Sequence, residues 1–252
     1  EYDTDKSLAL HIAAQANWGK GCLEIISEYI KRKLTPQNTD SRKSPFRAPI
    51  SHPPPKQLLL VRANSVSFAS PQKAFAKPSD INNLRIAREL MTIPDNKGMN
   101  IMHLAAMYGN SDVFNAVEKK FGDNVAFMMD LYKEKSQFTG ATVLHYLAMN
   151  GHYKILYQIL NKYEDLDVNI QGTDPVVSPL FTAAKFNQQR CAIILRLRGA
   201  ILEKCSQTPK ALSSFSNSDI MTFILQAPLM KLRELRLFSP EEDELYFQNQ
   251  NA

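Results

Sequence analysis

The chain has 252 residues, of which 44% are hydrophobic and 22% are charged. These values are ordinary for a folded protein and exclude a fibrous or wholly disordered class. The net charge is +5, yet the stretch 34–78 alone holds seven basic residues and one acid, whereas the remainder holds 23 basic and 24 acidic residues. The body of the protein therefore lacks an excess of positive charge for binding nucleic acid, and any polyanion contact is predicted in that stretch.

The three cysteines, Cys22, Cys191 and Cys205, are an odd number without paired spacing. This argues against a disulfide framework or a zinc finger and predicts a reducing compartment. The apolar runs are far shorter than the roughly 20 residues of a transmembrane helix. The acidic start lacks Met and any signal-peptide feature, which predicts a fragment of a longer chain. We expect a cytoplasmic protein, with the nucleus, or the host cytosol for a secreted effector, as alternatives.

One short pattern occurs three times, as LHIAA from Leu10, MHLAA from Met102 and LHYLA from Leu144. Each copy is followed by a glycine or polar turn, and the turns are matched at Gly21, Gly109 and Gly151. After each turn comes a second apolar segment with helical spacing. Each unit is therefore predicted to be a helix, a turn and a helix.

Two further copies follow the first three. SPLFTAA starts at Ser178 and has Phe181 in place of the histidine, and a shorter copy starts at Thr208. Equivalent positions in the first four copies are 92, 42 and 36 residues apart, so the repeats are irregular. Such self-similarity predicts a protein built from stacked repeats.

These segments resemble the ankyrin repeat, a unit of about 33 residues with Thr-Pro-Leu-His-x-Ala in its first helix. The resemblance implies an all-α solenoid of about five to six helix-turn-helix repeats, because one helix pair cannot bury its apolar face alone. Departures from the family pattern include Leu147 in place of an alanine and extra residues between Ala14 and Gly21. The predicted repeats are 1–33, a degenerate pair near 65–93, then 98–122, 140–163, 178–202 and 208–226.

Two segments fall outside the repeats. The stretch 34–78 holds eight of the chain's 14 prolines and many serines, so a basic, partly disordered insert is predicted there, with a helix resuming from Ser79. The segment 227–252 contains Ser239-Pro240 followed by acids. That combination is typical of a helix start and predicts a C-terminal helix that caps the stack.

No catalytic chemistry is predicted from the five histidines of the chain. The ankyrin resemblance implies that His11, His103 and His145 tie neighbouring loops together, with Phe181 at the fourth such position. The chain has no His or Cys cluster with metal-ligand spacing and no glycine-rich phosphate loop. We therefore predict a protein that is not an enzyme and has no metal and no cofactor.

The resemblance also implies where a partner binds, namely a concave groove lined by the ends of the first helices and by the loops between repeats. Packing between repeats is the alternative for Met107 and Phe186, and His152 also falls at the structural turn histidine of the family. The predicted partner-binding residues are Trp18, Met107, Tyr108, Asn110, Met149, Asn150, His152, Lys185, Phe186 and Gln188 in the groove, and Asn96, Lys97 and Phe138 in the loops.

The leading functional hypothesis is an adaptor or scaffold that binds another protein or a peptide. One alternative is the partner-recruiting portion of a larger enzyme or of an effector that a bacterium secretes into host cells. A weaker alternative is contact of the basic insert with anionic lipid or nucleic acid, which predicts affinity that falls steeply with salt. We expect a monomer.

Overall fold

The computed structural model describes residues 2–34, 78–173, 177–202 and 219–247. The described residues form helices and loops without a strand, which confirms the predicted all-α class. Residues 35–77 of the predicted insert, residues 174–176, the start of the predicted repeat at 208–226 and the last five residues lie outside this description. Cys205 lies outside it as well.

Within the described residues, four helix pairs form the stack. The remaining helices follow the second helix of a pair or the end of the stack. In chain order the helices are α1 Tyr2–Gln15, α2 Gly19–Leu34, α3 Pro78–Met91, α4 Ile101–Tyr108, α5 Ser111–Phe121, α6 Val125–Lys133, α7 Val143–Asn150, α8 Tyr153–Lys162, α9 Pro179–Lys185, α10 Gln189–Leu197, α11 Asp219–Gln226, α12 Leu229–Leu232 and α13 Pro240–Phe247, with a 3-10 turn at Arg233–Leu235.

The first helices of the four pairs pack side by side in the order α1, α4, α7 and α9. Paired alanines in these helices, such as Ala13 with Ala14 and Ala105 with Ala106, are completely or almost completely buried. Because alanine has the smallest apolar side chain, neighbouring helices approach closely along this row. The stack thus forms one continuous core in which each layer depends on its neighbours.

The turn inside each pair has a left-handed residue at the same register position. The residues there are Asn17, Gly109, Gly151 and Asn187, with φ of 54°, 68°, 76° and 55°. All four lie six residues after the position of the motif histidine, so the first repeat has the same length as the others up to its second helix. The prediction of extra residues before Gly21 is therefore wrong. Asparagine replaces glycine at two turns because it tolerates the left-handed region.

Two helices that follow a pair alter the predicted repeat pattern. The predicted helix after the insert is present as α3, but α4 packs on α1 and α5 packs on α2. Of the degenerate pair predicted near 65–93, residues 65–77 lie outside the described residues, and the described helix α3 lies beside α2. The α6 helix between the second and third pairs was not predicted. It is capped by Asn124, whose side-chain oxygen accepts the N–H of Phe127 at 3.0 Å.

Glu118 attaches α6 and the end of α8 to α5. The hydroxyl of Tyr132 on α6 donates to Glu118 Oε1 at 2.7 Å, and the hydroxyl of Tyr163 donates to Glu118 Oε2 at 3.0 Å. Lys162 forms an ion pair with the same carboxylate. Burial, followed by this carboxylate, raises the pKa of both tyrosines, so both hydroxyls remain protonated donors. An ion pair between Arg88 on α3 and Asp130 on α6, at 3.0 Å, links the two additional helices.

The predicted C-terminal helix is present as α13 and packs along the outer side of the stack. Ser239 Oγ accepts the N–H of Glu242, and Glu242 accepts the N–H of Ser239, each at 3.3 Å. This reciprocal pair of bonds caps the helix start. The ring of Tyr246 lies 4.3 Å from that of Tyr157 on α8 and 4.9 Å from that of Phe238. The helix therefore covers the outer face of α8, while α11 packs on α10.

The left-handed turns make a prediction about two glycines. Gly109→Ala places a methyl group in the left-handed region and within 2.3 Å of the His152 ring. Gly199→Ala is the matched control, because φ is +81° and nothing lies within 4 Å of the added methyl. We expect Gly199→Ala to lower the free energy of unfolding by about 1–2 kcal/mol through backbone strain alone. Gly109→Ala should lower it further, and urea denaturation measures both. Equal losses would contradict the close approach of His152.

Candidate protein-binding surface

Three segments project between successive pairs, and we call them fingers: 95–98, 136–140 and the described residues 172, 173 and 177. The first two finger bases are closed by main-chain hydrogen bonds, from Asp95 to Met99 at 2.8 Å and from Ser136 to Ala141 at 2.9 Å. The base of the third is closed by a bond from Gly172 to Val177 at 3.0 Å. The first two fingers are therefore closed turns.

The fingers are also joined to one another. The N–H of Gln137 donates to the carbonyl of Gly98 at 2.8 Å, and the N–H of Thr173 donates to that of Thr139 at 3.1 Å. Gly140 allows the close approach of Thr173, because a Cβ there would lie 2.0 Å from the Thr173 hydroxyl oxygen. The row of fingers thus has a defined spacing along the stack.

The motif histidines connect the first helices to these loops. The Nε2 atoms of His11, His103 and His145 lie 3.1, 3.0 and 2.9 Å from the main-chain carbonyl oxygens of Ile93, Glu134 and Val177, respectively. The carbonyls of Ile93 and Glu134 lie just before the first and second fingers, and the carbonyl of Val177 lies in the third finger. The histidines are buried, so these bonds are made away from bulk water.

Two of these histidines have a defined tautomer. Nδ1 of His103 accepts the N–H of Asn100 at 3.2 Å, and Nδ1 of His145 accepts the N–H of Thr142 at 3.1 Å. Since Nδ1 accepts, Nε2 carries the proton and donates to the carbonyl. Burial lowers the pKa of both imidazoles to about 4, so both are neutral at neutral pH. At the fourth position Phe181 is buried against Val177 and Leu202 instead.

The position seven residues after the motif histidine connects each pair to the preceding pair. Asn110 donates to the carbonyl of Gln15 at 3.1 Å, and Gln188 donates to that of Met149 at 3.2 Å. His152 makes the equivalent contact, 3.4 Å long, with the carbonyl of Met107. Asn110 is buried, so its prediction as a groove residue is wrong. The donors of His152 and Gln188 are likewise used inside the stack.

The other predicted residues form an open surface along the ends of the first helices. The prominent apolar side chain among the fingers is Phe138, which is 62% exposed. Lys185 lies over the ring of Phe186, with its ammonium nitrogen 5.8 Å from the ring centroid. The exposed predicted residues are Trp18, Asn96, Lys97, Phe138, Tyr108, Asn150, Lys185 and Phe186, and Met107 and Met149 are half-buried.

A small pocket of about 200 Å³ lies in this surface between α7, α9 and the second and third fingers. Its walls include Tyr146, Met149, Val177, Phe181 and Phe186. Three of these, Tyr146, Val177 and Phe181, were not predicted as binding residues. Periodicity assigns such residues to the core, and only the folded arrangement shows that they also line an opening.

The described residues contain no group of three or more His, Cys, Asp or Glu side chains that could hold a metal ion. Within the same ranges, no helix is both long and apolar enough to cross a membrane. Burial raises the pKa of Cys22 to about 11 and that of Cys191 to about 12. Both thiols are therefore protonated at neutral pH, which is the form expected of core cysteines.

Stacked helix pairs with projecting fingers define a helical repeat protein whose open surface lies at the ends of its first helices. Residues 139–168, which span the end of the second finger, α7 and α8, match the sequence model of a family described as Ankyrin repeat. One ankyrin repeat is thus detected by sequence, over 30 of the 252 residues. No curated protein matches the chain. Ankyrin repeats are protein-interaction modules in general, and the chain carries such a module.

The buried histidines predict a dependence of stability on pH. His103 and His145 have a pKa of about 4 in the folded chain and an ordinary value of 6.5. Between these values the unfolded chain binds more protons, so the free energy of unfolding falls as the pH is lowered from 6.5 towards 4. Urea denaturation at pH 7.5, 6.0 and 5.0 measures this fall. Ordinary carboxyl groups have pKa values below 5, so they contribute little to a fall in the free energy of unfolding above pH 5.

His145→Gln is the diagnostic variant for this effect. This variant should have a lower free energy of unfolding than the parent chain at pH 7.5. Between pH 6.5 and 5 its free energy of unfolding should fall less than that of the parent chain. An unchanged decline would contradict the assignment of His145 as a neutral donor.

Proposed function

We propose that the open surface binds a segment of a partner protein, with an apolar side chain of the partner seated in the pocket between α7 and α9. The observation that carries this proposal is the pocket itself, because it opens between two fingers and is walled mainly by apolar side chains. Binding sites for small groups are concave and mostly apolar, with few polar atoms. A Leu, Phe or Met side chain of the partner suits a pocket of this size.

Exposed aromatic rings around the pocket support the same proposal. Phe186 is part of the pocket wall and is still 45% exposed, and Phe138 stands on the neighbouring finger. Tyr108 lies one layer away and is also half-exposed. Aromatic rings supply much of the binding energy at protein interfaces, because they bury a large apolar area at low entropic cost.

The charge beside the pocket favours an acidic group next to the apolar anchor. Lys185 lines the pocket and is exposed, so its ammonium can pair with a carboxylate on the partner. Outside 34–78 the chain holds 23 basic and 24 acidic residues, so the body lacks the charge excess of a nucleic-acid-binding surface. These two observations favour a protein partner over nucleic acid.

A random peptide library displayed on phage tests the proposal directly. Peptides selected on the purified chain should share a large apolar residue next to Asp or Glu. Phe186→Ala should weaken a selected peptide by about tenfold or more, the size of effect seen at interface hot spots. Lys185→Glu should shift a second selection towards Lys or Arg beside the apolar residue.

The control is Met230→Ala, because Met230 is 73% exposed on α12 and lies outside the groove. It should leave peptide affinity unchanged, and all three variants should unfold at the same urea concentration as the parent chain. Selected peptides without an apolar anchor, or equal loss in the Met230→Ala control, would contradict the proposal.

A further inference from the structure

The outer face of the stack carries two tyrosines whose rings are stacked with cations. Tyr153 and Tyr157 lie one turn apart on α8 and are half-buried. The guanidinium carbon of Arg190 on α10 lies 4.9 Å from the centroid of the Tyr153 ring, and that of Arg198, just after α10, lies 5.8 Å from the centroid of the Tyr157 ring. The ammonium nitrogen of Lys154 lies 5.8 Å from the Tyr153 centroid. We call these five residues the platform.

The helix α13 is seated on the platform through a carboxylate and a ring. Glu242 accepts the hydroxyl of Tyr153 at 3.1 Å and pairs with the ammonium of Lys154 at 3.1 Å. One turn later the ring centroid of Tyr246 lies 4.3 Å from that of Tyr157, and Tyr246 is buried. An acidic residue and an aromatic residue four positions apart are therefore the features that the platform recognises in α13.

The cations of the platform are only partly matched by α13. Arg190 donates to the main-chain carbonyl of Leu237 at 2.7 Å and to the hydroxyl of Tyr153 at 3.0 Å. Arg198 donates to the side-chain oxygen of Asn161 at 2.7 Å. Among the described residues neither guanidinium forms an ion pair with a carboxylate. Hydrogen bonds between two charged groups are stronger than neutral ones, so a helix with a further acid beside either arginine would bind the platform more tightly than α13 does.

The conformation of the α13 segment also carries a cost. Arg236, in the turn that leads to this helix, has φ of 49° and ψ of 39°, in the left-handed region that is unfavourable for residues other than glycine. The helix itself has eight residues, and helices of this length are marginal in water without packing. Release of α13 from the platform would therefore relieve strain and return conformational entropy to the segment.

We propose that the platform is a second docking surface, that its partner is an acidic helix of another protein with a carboxylate and an aromatic ring four residues apart, and that α13 occupies it in the free chain as an intramolecular competitor. The partner displaces α13 from Lys154 and Tyr157 and supplies carboxylates to Arg190 or Arg198. Its apparent affinity is lowered by the fraction of chains in which α13 is docked. The helix α13 therefore regulates access to the surface that it covers.

The probe is a fluorescein-labelled synthetic peptide with the sequence of residues 239–247, SPEEDELYF, and fluorescence polarisation measures its affinity for the full chain. The parent chain should bind the probe weakly, because α13 competes. Glu242→Lys places a second ammonium group beside Lys154 and should release α13, so this variant should bind the probe about tenfold or more tighter than the parent chain. Glu242→Gln, which removes only the charge, is a milder release variant and should also bind the probe more tightly.

Glu244→Lys is the matched control, because Glu244 is exposed on the same helix and undergoes the same change of charge. It should bind the probe as the parent chain does. In the Glu242→Lys background, Arg190→Glu should weaken probe binding by about tenfold or more, whereas Phe186→Ala should leave it unchanged. These two substitutions separate the platform from the groove, so either proposal can fail without the other.

Three results would overturn the proposal. The first is equal probe affinity, or equal absence of binding, in the parent chain and in folded Glu242→Lys and Glu242→Gln. The second is tighter binding that Arg190→Glu does not weaken, which would place the probe elsewhere on the chain. The third is loss of the helical circular dichroism signal in both Glu242 variants, which would show that α13 is an integral part of the fold rather than a displaceable segment.

Discussion

The hydrogen bond from a buried, neutral histidine to the main-chain carbonyl beside a finger is the interaction on which the rest of the structure depends. His103 and His145 each receive a main-chain N–H at Nδ1 and direct Nε2 towards a loop about 31 residues further along the chain. The bond that Nδ1 accepts requires an uncharged ring, and burial supplies that condition by lowering the pKa of both histidines to about 4. Loss of the ring would leave a buried carbonyl without its donor, which costs about 1–3 kcal/mol.

This bond helps to set the geometry of the open surface. Because α1, α4 and α7 are each bonded to the segment at a finger, and each finger is attached to the next, the pocket walls contributed by α7, Gly172 and Val177 are held at a defined spacing. Exposed rings such as Phe138 and Phe186 therefore lie on a prearranged support. A surface that is already ordered loses less conformational entropy on binding, which strengthens affinity without further contacts.

The repeat pattern predicted the helix pairs well, because the motif marks the first helix and the following apolar period marks the second. It did not predict α6, since residues 125–133 belong to no copy of the motif and their apolar residues extend the preceding segment. The pattern also misassigned Asn110. A polar residue after a turn suggests exposure, but the side chain of Asn110 is buried and donates to a main-chain carbonyl of the neighbouring layer. The pocket combines side chains from 139 to 186, so local periodicity carries no sign of it.

If a partner binds where the fingers and the ends of the first helices meet, the main-chain amides of that region become protected on binding. Amide hydrogen exchange of the full chain, with and without a saturating peptide selected from the library, tests this most directly. The account predicts slower exchange on binding in the fingers at 136–140 and 172–173 and at the C-terminal ends of α7 and α9. Protection confined to the outer helices α8, α10 and α13 would contradict it.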